Sequence, residues 1–313
     1  MKVRAILNPR AGVSPVEARR AAERGHPAWS DFDLSVTDGP GHATELARAA
    51  AEAGAELVLA VGGDGTANEV ATGLIGRSAA LGIVPMGSGN GLARALGIPL
   101  RPTDALDALF NGVRRTIDVG MLNGRPFLNI AGVGFDAAVS RAFHDRGRAG
   151  GRRGLLSYVW LSLREMLRYR ASGVAIEADG ERVLARPFVL VFANGPQYGA
   201  GAVINPGGRL DDGRLELVIL DDAPLPSLLV AAPRMFLGGI ERARGYRRLS
   251  ATRVVVTGER PLVAHRDGDP EADCERLEIG LEPRALTVVA TAAAVADPRG
   301  PFVQTQQSRG GHG

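Results

Sequence analysis

The stretch Leu57-Val58-Leu59-Ala60-Val61-Gly62-Gly63-Asp64-Gly65-Thr66-Ala67-Asn68-Glu69-Val70 decides how this chain is read. Its apolar first half has the length of a buried strand and stops at a Gly-Gly-Asp-Gly turn. Thr66 is placed to cap the free N–H groups of a following helix, with Glu69 answering it as a capping box, so a helix is expected from about Ala67 to Leu74. A strand, a glycine turn and a helix N-terminus in succession suit phosphate. Glycine lets the backbone approach the ligand, and the unpaired N–H groups of the first turn face its negative charge. Asp64 would repel phosphate unless a cation lay between, which marks it as a magnesium-side residue, direct or through water. Taken alone, the stretch also reads as a ligand-free strand-to-helix turn.

Working outward, strands are expected at 3–8, 32–37 and 81–85. Helices are expected after Ser14-Pro15, from about Ala43 to Ala53, after Gly91 through Leu96, and from a Thr103 cap to Phe110. This alternation indicates a mostly parallel sheet covered on both faces, a Rossmann-like nucleotide domain whose glycine turns all follow carboxyl ends of strands. After Ile117 the pattern changes to strands joined by turns, at 118–122, 127–132, 174–178, 186–194, 214–220, 252–257 and 274–281. That predicts an antiparallel β-sandwich over 118–282, interrupted by helical insertions at about 137–170 and 224–243. A strand at 285–292 is expected to return to the first domain, which then comprises 1–117 and about 283–296. The tail, 297–313, has a disordered composition.

Composition removes several classes of function. The 313 residues are 45% hydrophobic, with no apolar run of 18 residues, so no integral membrane segment is expected. The N-terminus enters a strand at once and offers no secretory signal, and the single cysteine, Cys274, rules out an intrachain disulfide. Both observations fit the cytoplasm. Lys2 is the only lysine. A P-loop lysine, a protein-kinase lysine and a Schiff-base lysine are therefore excluded from the body of the chain, and phosphate must be handled by backbone amides, arginines and metal. Dispersed arginines and few aromatic residues give no support to nucleic-acid binding.

Five further clusters carry candidate chemistry. Asn8-Pro9-Arg10-Ala11-Gly12 is a turn able to fold over a nucleotide. Ser88-Gly89-Asn90-Gly91 offers a hydroxyl and free N–H groups at a helix start, and Thr37 and His42 flank another glycine turn. In Asn205–Leu215, an aspartate among backbone carbonyls suits a hydrated hard cation, although from the spacing alone an Asp-Gly hairpin turn is the favoured reading. In Ala264–Pro270, Asp267 and Asp269 bracket a glycine, a pair able to accept a proton and to hold a metal or orient the base; a solvated acidic turn is the alternative. His265 reads as a neighbour of that site.

In this order, Asn8–Gly12, the Thr37–His42 turn, Gly62–Val70, Pro85–Leu96, Gly132-Val133-Gly134-Phe135-Asp136, Asn205–Leu215 and Asp267–Pro270 resemble the diacylglycerol-kinase catalytic family of lipid kinases, which includes sphingosine kinases. The resemblance spans residues 8–270. It implies a nucleotide domain, a C-terminal sandwich and an active site between them. By this resemblance ATP lies on Asn8, Pro9, Arg10, Ala11, Gly12, Thr37, Gly62, Gly63, Asp64, Gly65, Thr66, Ala67, Asn68 and Ser88. It further implies that Asp267 is the general base and that Asp212, with the carbonyls of Arg209 and Arg214, forms a structural magnesium site. Where the family usually has Asp-Gly-Glu, this chain has Asp267-Gly268-Asp269, one methylene shorter. The Ser88–Ala93 turn is nearer the sphingosine-kinase form.

The expected reaction is transfer of the ATP γ-phosphoryl group to a lipid hydroxyl, with magnesium near Asp64 and Asp269. An NAD-kinase-like enzyme and a nucleotide-binding regulator without turnover remain as alternatives. Peripheral membrane association is expected. Its candidate surface carries Arg141, Arg146, Arg148, Arg152 and Arg153 ahead of Leu155, Leu156, Tyr158, Trp160, Leu161 and Leu163, though that stripe also suits core packing. The acceptor lipid and the oligomeric state, a homodimer included, are left open.

Overall fold

The computed structural model describes residues 1–11, 20, 23, 25–148 and 155–304. The helix expected after Ser14 and the last nine residues lie outside the described residues. Four strands form the parallel half of a sheet: β1 (Lys2–Leu7), β2 (Asp31–Val36), β3 (Leu57–Gly62) and β4 (Ala80–Pro85). Their spatial order is β2-β1-β3-β4, with Ala60 opposite Ile6 on one side and Ile83 on the other. Every residue of β3 and β4 is buried, as expected of central strands covered on both faces.

Helices α1 (His42–Glu52), α2 (Asp64–Leu74), α3 (Gly91–Ala95) and α4 (Pro102–Phe110) accompany these strands. Helix α4 starts at Pro102 after an Arg101 cap, two residues ahead of the start that a Thr103 cap predicts, because proline is preset for a first-turn position. Helices α1 and α2 approach closely at Gly73, where an added Cβ would lie 2.5 Å from the Thr44 carbonyl oxygen and 2.8 Å from the Ala47 methyl.

The sandwich begins with β5 (Val113–Leu122), β6 (Arg125–Phe127) and β7 (Ile130–Gly134), followed by α5 (Phe135–Arg148) and α6 (Leu155–Arg168). Then come β8 (Val174–Ala178), β9 (Glu181–Ala185), β10 (Pro187–Ala193), β11 (Leu215–Asp221) and α7 (Leu225–Leu237). The chain closes with β12 (Tyr246–Ala251), β13 (Arg253–Leu262), β14 (Ala264–Arg266), β15 (Asp269–Pro270), β16 (Cys274–Ala290) and α8 (Ala292–Ala296). One sandwich layer has the order β12-β11-β10-β7-β14-β15. The other is the antiparallel continuation of the first sheet, β16-β13-β8-β9. Phe127, Leu190, Phe192, Leu217, Val254 and Ile279 fill the space between the layers. On the outer face of the six-stranded layer, Val191 and Val218 pack with Leu228 and Met235 of α7 and Met166 of α6.

Three expectations are corrected by the tertiary structure. The two strands expected at 274–281 and 285–292 are one, β16, with a register shift between Glu282 and Leu286; Val288 reaches β4 opposite Leu81. Strand β5 likewise crosses residue 117, so the seam between domains falls within strands shared by both. Polar β9 and β12 also pair into the sheets, because an edge strand needs only one apolar neighbour face. Finally, residues 297–304 are packed. Phe302 is fully buried in the nucleotide-domain core, the Arg209 guanidinium donates to the carbonyls of Pro298, Gly300 and Phe302, and the Val303 N–H donates to Asp211 at 2.6 Å.

Candidate active site

Helix α2 starts at Asp64, three residues earlier than a Thr66 cap would place it, with Gly63 at the cap and no side-chain capping bond. The expected capping box is therefore absent, and both its members bind elsewhere. The Thr66 hydroxyl accepts from Asn8 Nδ2 (3.1 Å), and Glu69 accepts from the Ala43 N–H at the start of α1 (3.2 Å). The Asn8 side chain also accepts from the Arg10 N–H (3.0 Å), which folds Asn8–Ala11 into a turn beside Thr66. Asn8, Pro9, Arg10, Thr37, Thr66 and Glu69 line one cavity of about 150 Å³. Of the predicted nucleotide residues, Gly12 lies outside the described residues.

Asp64 joins two glycine turns. Its oxygens accept the N–H groups of Asn90 (2.8 Å) and Gly91 (2.7 Å), at the start of α3. Asn90 is left-handed (φ +51°), and its amide closes the turn by bonding both the N–H and the carbonyl of Gly87. The turns meet closely: a Cβ on Gly87 would stand 2.9 Å from the Gly63 Cα, and one on Gly89 would stand 2.7 Å from an Asp64 oxygen. Burial pushes the Asp64 pKa up to about 6, against the lowering effect of the two N–H groups, and the charge of Asp267 adds to the rise. Ser88 is exposed at the tip of its turn.

The acidic pair reaches this turn on a hairpin. Strands β14 and β15 pair His265 with Pro270 and Arg266 with Asp269, leaving Asp267-Gly268 as a two-residue turn, left-handed at both positions (φ +45° and +90°). Asp-Gly is the sequence such a turn favours. Asp267 is fully engaged. One oxygen accepts from Asn68 Nδ2 and the Leu128 N–H (both 2.7 Å), the other from the N–H groups of Asn129 (2.9 Å) and Ile130 (3.0 Å). The Asn68 bond ties the nucleotide domain to the sandwich.

Asp269, by contrast, accepts no hydrogen bond among the described residues and lies at the turn of Gly65, whose Cβ position is 3.7 Å from its oxygen. Its pKa is raised, first by burial in the cleft and then by the charge of Asp267.

The hairpin is held from behind by residues that periodicity alone does not mark. The Gly268 N–H donates to His265 Nδ1 (3.2 Å), which leaves the ring proton on Nε2, 3.1 Å from Asp136; Asp136 also accepts from Tyr198 Oη (3.0 Å). Ser140 Oγ donates to the Gly268 carbonyl. The Gly132–Asp136 motif gave a signal for Asp136, and His265 reads from the sequence as a neighbour of the acidic pair; Tyr198 and Ser140 had none.

Asp212 accepts from the Arg214 N–H (3.0 Å). Its pKa is raised by burial and, less, by Asp118 and Asp211. Hard oxygen donors crowded by like charge suit a hydrated cation; the like charge comes from Asp118 and Asp211 here and from Asp267 at Asp64 and at Asp269. Among the described residues, no group of three or more His, Cys, Asp or Glu side chains is disposed to hold a metal unaided.

A parallel sheet whose glycine turns face an acidic hairpin from a sandwich defines a two-domain kinase fold. Residues 2–122 match the diacylglycerol kinase catalytic domain, and residues 129–290 match the YegS C-terminal NAD kinase beta sandwich-like domain. The chain belongs to this diacylglycerol kinase family. It is 35% identical to a Pseudomonas aeruginosa protein named probable lipid kinase YegS-like, covering 92% of this chain and 93% of that one. It is 30% identical to a Bacillus subtilis diacylglycerol kinase, over 86% and 89% of the two chains. A solved Bacillus anthracis diacylglycerol kinase shares the fold with TM-score 0.72 at 20% identity, covering 93% of this chain and 97% of that one. An Archaeoglobus fulgidus NAD kinase solved in complex with ATP shares it with TM-score 0.53 at 13% identity, over 93% and 94%.

Proposed function

We propose that the chain is an ATP-dependent lipid kinase that phosphorylates a lipid hydroxyl in the cleft between its two domains. One observation supports this reading: Asp269, a carboxylate that accepts no hydrogen bond among the described residues, stands against the glycine turn that begins α2. A nucleotide would lie on Asn8–Gly12, Thr37, Gly62–Asn68 and Ser88, its phosphates met by the N–H groups of α2. Asp64 would hold magnesium, which supplies charge neutralisation at the phosphates.

The roles of the acidic pair follow from their hydrogen bonds. The resemblance implies Asp267 as the base, but its two oxygens already accept four bonds, which leaves no lone pair for an alcohol. Asp267 therefore holds the hairpin. Asp269, with a free oxygen and a raised pKa, accepts the hydroxyl proton. The membrane-surface expectation divides in the same residue-by-residue way. Arg141 pairs with Asp273 and Leu161 is buried, whereas Trp160 is exposed with Arg146 and Arg164 stacked on its ring. The side chains of Arg148, Arg152, Arg153, Leu155, Leu156 and Tyr158 lie outside the described ones.

The test is transfer of labelled phosphate from ATP to a lipid panel, with NAD as a competing acceptor. Asp269→Asn should lose roughly 10²–10⁴ in kcat at unchanged Tm. Asp267→Asn should lower Tm as well, because its amide would face N–H donors. Normal turnover in Asp269→Asn would overturn the assignment of the base, and labelled NADP would overturn the lipid reading. At the Asp212 turn, magnesium should raise the Tm of the wild type and not that of Asp212→Ala.

A further inference from the structure

Helix α7, Leu225-Pro226-Ser227-Leu228-Leu229-Val230-Ala231-Ala232-Pro233-Arg234-Met235-Phe236-Leu237, is apolar on the wrong side. Leu228 and Ala231 already fill the layer beneath it, yet the face turned to water carries Leu229 (45% exposed), Val230 (58%), Phe236 (60%) and Leu237 (85%). Arg234 is its only charged residue. A surface helix normally puts polar side chains there, so an open apolar face of this extent marks a contact.

We propose that α7 docks the protein on an anionic bilayer, lying in the interface plane; this rests on the lipid-kinase reading above. Three observations favour a bilayer as the occupant. First, the residues around the apolar face are basic: Arg234, Arg242 and Arg244 make no ion pair among the described residues, and Glu241 is the one carboxylate among them. Cations beside an apolar face complement anionic headgroups. Second, no helix of the described residues is long and apolar enough to cross a membrane, and 13 residues allow shallow insertion only. Third, α7 connects directly to the cleft. The Met235 carbonyl accepts the Val203 N–H (2.9 Å), and in the same loop the Ala200 N–H donates to the Gly89 carbonyl (2.9 Å) beside Asp64. A lipid whose chains stay in the bilayer would thus present its hydroxyl close to the phosphate-side turn. Helix α6, with Trp160, Leu163 and Leu167 exposed, rests on the same outer layer of the sandwich and extends the contact.

The test is co-sedimentation of the full chain, without ATP, with vesicles of phosphatidylglycerol and phosphatidylcholine. The wild type should pellet, and a Leu229→Gln/Phe236→Gln/Leu237→Gln variant should bind at least about tenfold more weakly with unchanged Tm. The variant should lose activity on bilayer-presented lipid to a similar degree while keeping it on a dispersed short-chain acceptor. Vesicle binding equal to wild type, or a wild type that does not bind, would overturn the proposal. So would a wild-type dimer that the triple variant converts to monomer with vesicle binding intact, since the face would then join two copies. Loss of vesicle binding in the variant would uphold docking even if the wild type phosphorylated no lipid, a result that would defeat only the kinase reading.

Discussion

At the scale of single residues, the cleft depends on carboxylates whose surroundings differ. Burial raises the Asp64 pKa to about 6 despite the two backbone N–H groups that favour its charge, so an enzyme lacking bound nucleotide loses this charge within the near-neutral range. The kcat/KM for ATP should therefore fall on the acid side with a midpoint near 6, and the corresponding limb of kcat should lie lower, because bound magnesium favours the ionised form. A pH–rate profile checks both. The same shift has a sign for stability. Between the ordinary carboxylate range and about pH 6 the folded chain holds a proton that the unfolded chain has lost, so the contribution of Asp64 declines as pH rises through that window. At Asp269, Asp269→Glu restores the family's usual residue and should retain turnover, whereas Asp269→Asn should not.

At the scale of elements, close approach of backbones does most of the positioning. Gly132 in β7 has no space for a Cβ, which would run into the Asp136 carboxylate and the His265 ring. Gly132→Ala should displace the support of the Asp267 hairpin and destabilise the fold by about 1–3 kcal/mol, with a loss of kcat that exceeds the change in KM for ATP. Gly73→Ala should destabilise to a similar extent by forcing α1 away from α2, but should leave the hairpin intact and so change kcat little. Urea titration together with steady-state kinetics separates the two.

At the scale of the whole molecule, the domains share strands. Because β5 and β16 run through both halves of one sheet, opening either domain breaks the ladder of the other. Denaturation should therefore follow one transition, coincident by fluorescence and circular dichroism; two separated transitions would contradict this coupling. The C-terminal segment adds to it. Phe302 is fully buried against the nucleotide-domain core, while its carbonyl and its neighbours' are held by Arg209 from the sandwich. Phe302→Ala should cost about 3–5 kcal/mol, read from the urea midpoint.

The sequence by itself determined the two-layer plan and most of the candidate nucleotide residues. Buried strands, glycine turns and helix starts are local chemistry, legible from Leu57–Val70 and its counterparts at Asn8 and Ser88. It also brought Asp267 and Asp269 into view as a pair, since an Asp-Gly turn is itself a local signal. Only the tertiary structure decided how differently the two are engaged, because the four donors that occupy Asp267 come from Asn68 and from backbone 128–130, far away in the chain. The same holds for Thr66 and Glu69, whose capping-box spacing is local but whose partners, Asn8 and Ala43, are brought to them by the sheet and by α1. It holds again for α7, whose apolar composition is evident in sequence. Which side of it meets water depends on the layer beneath.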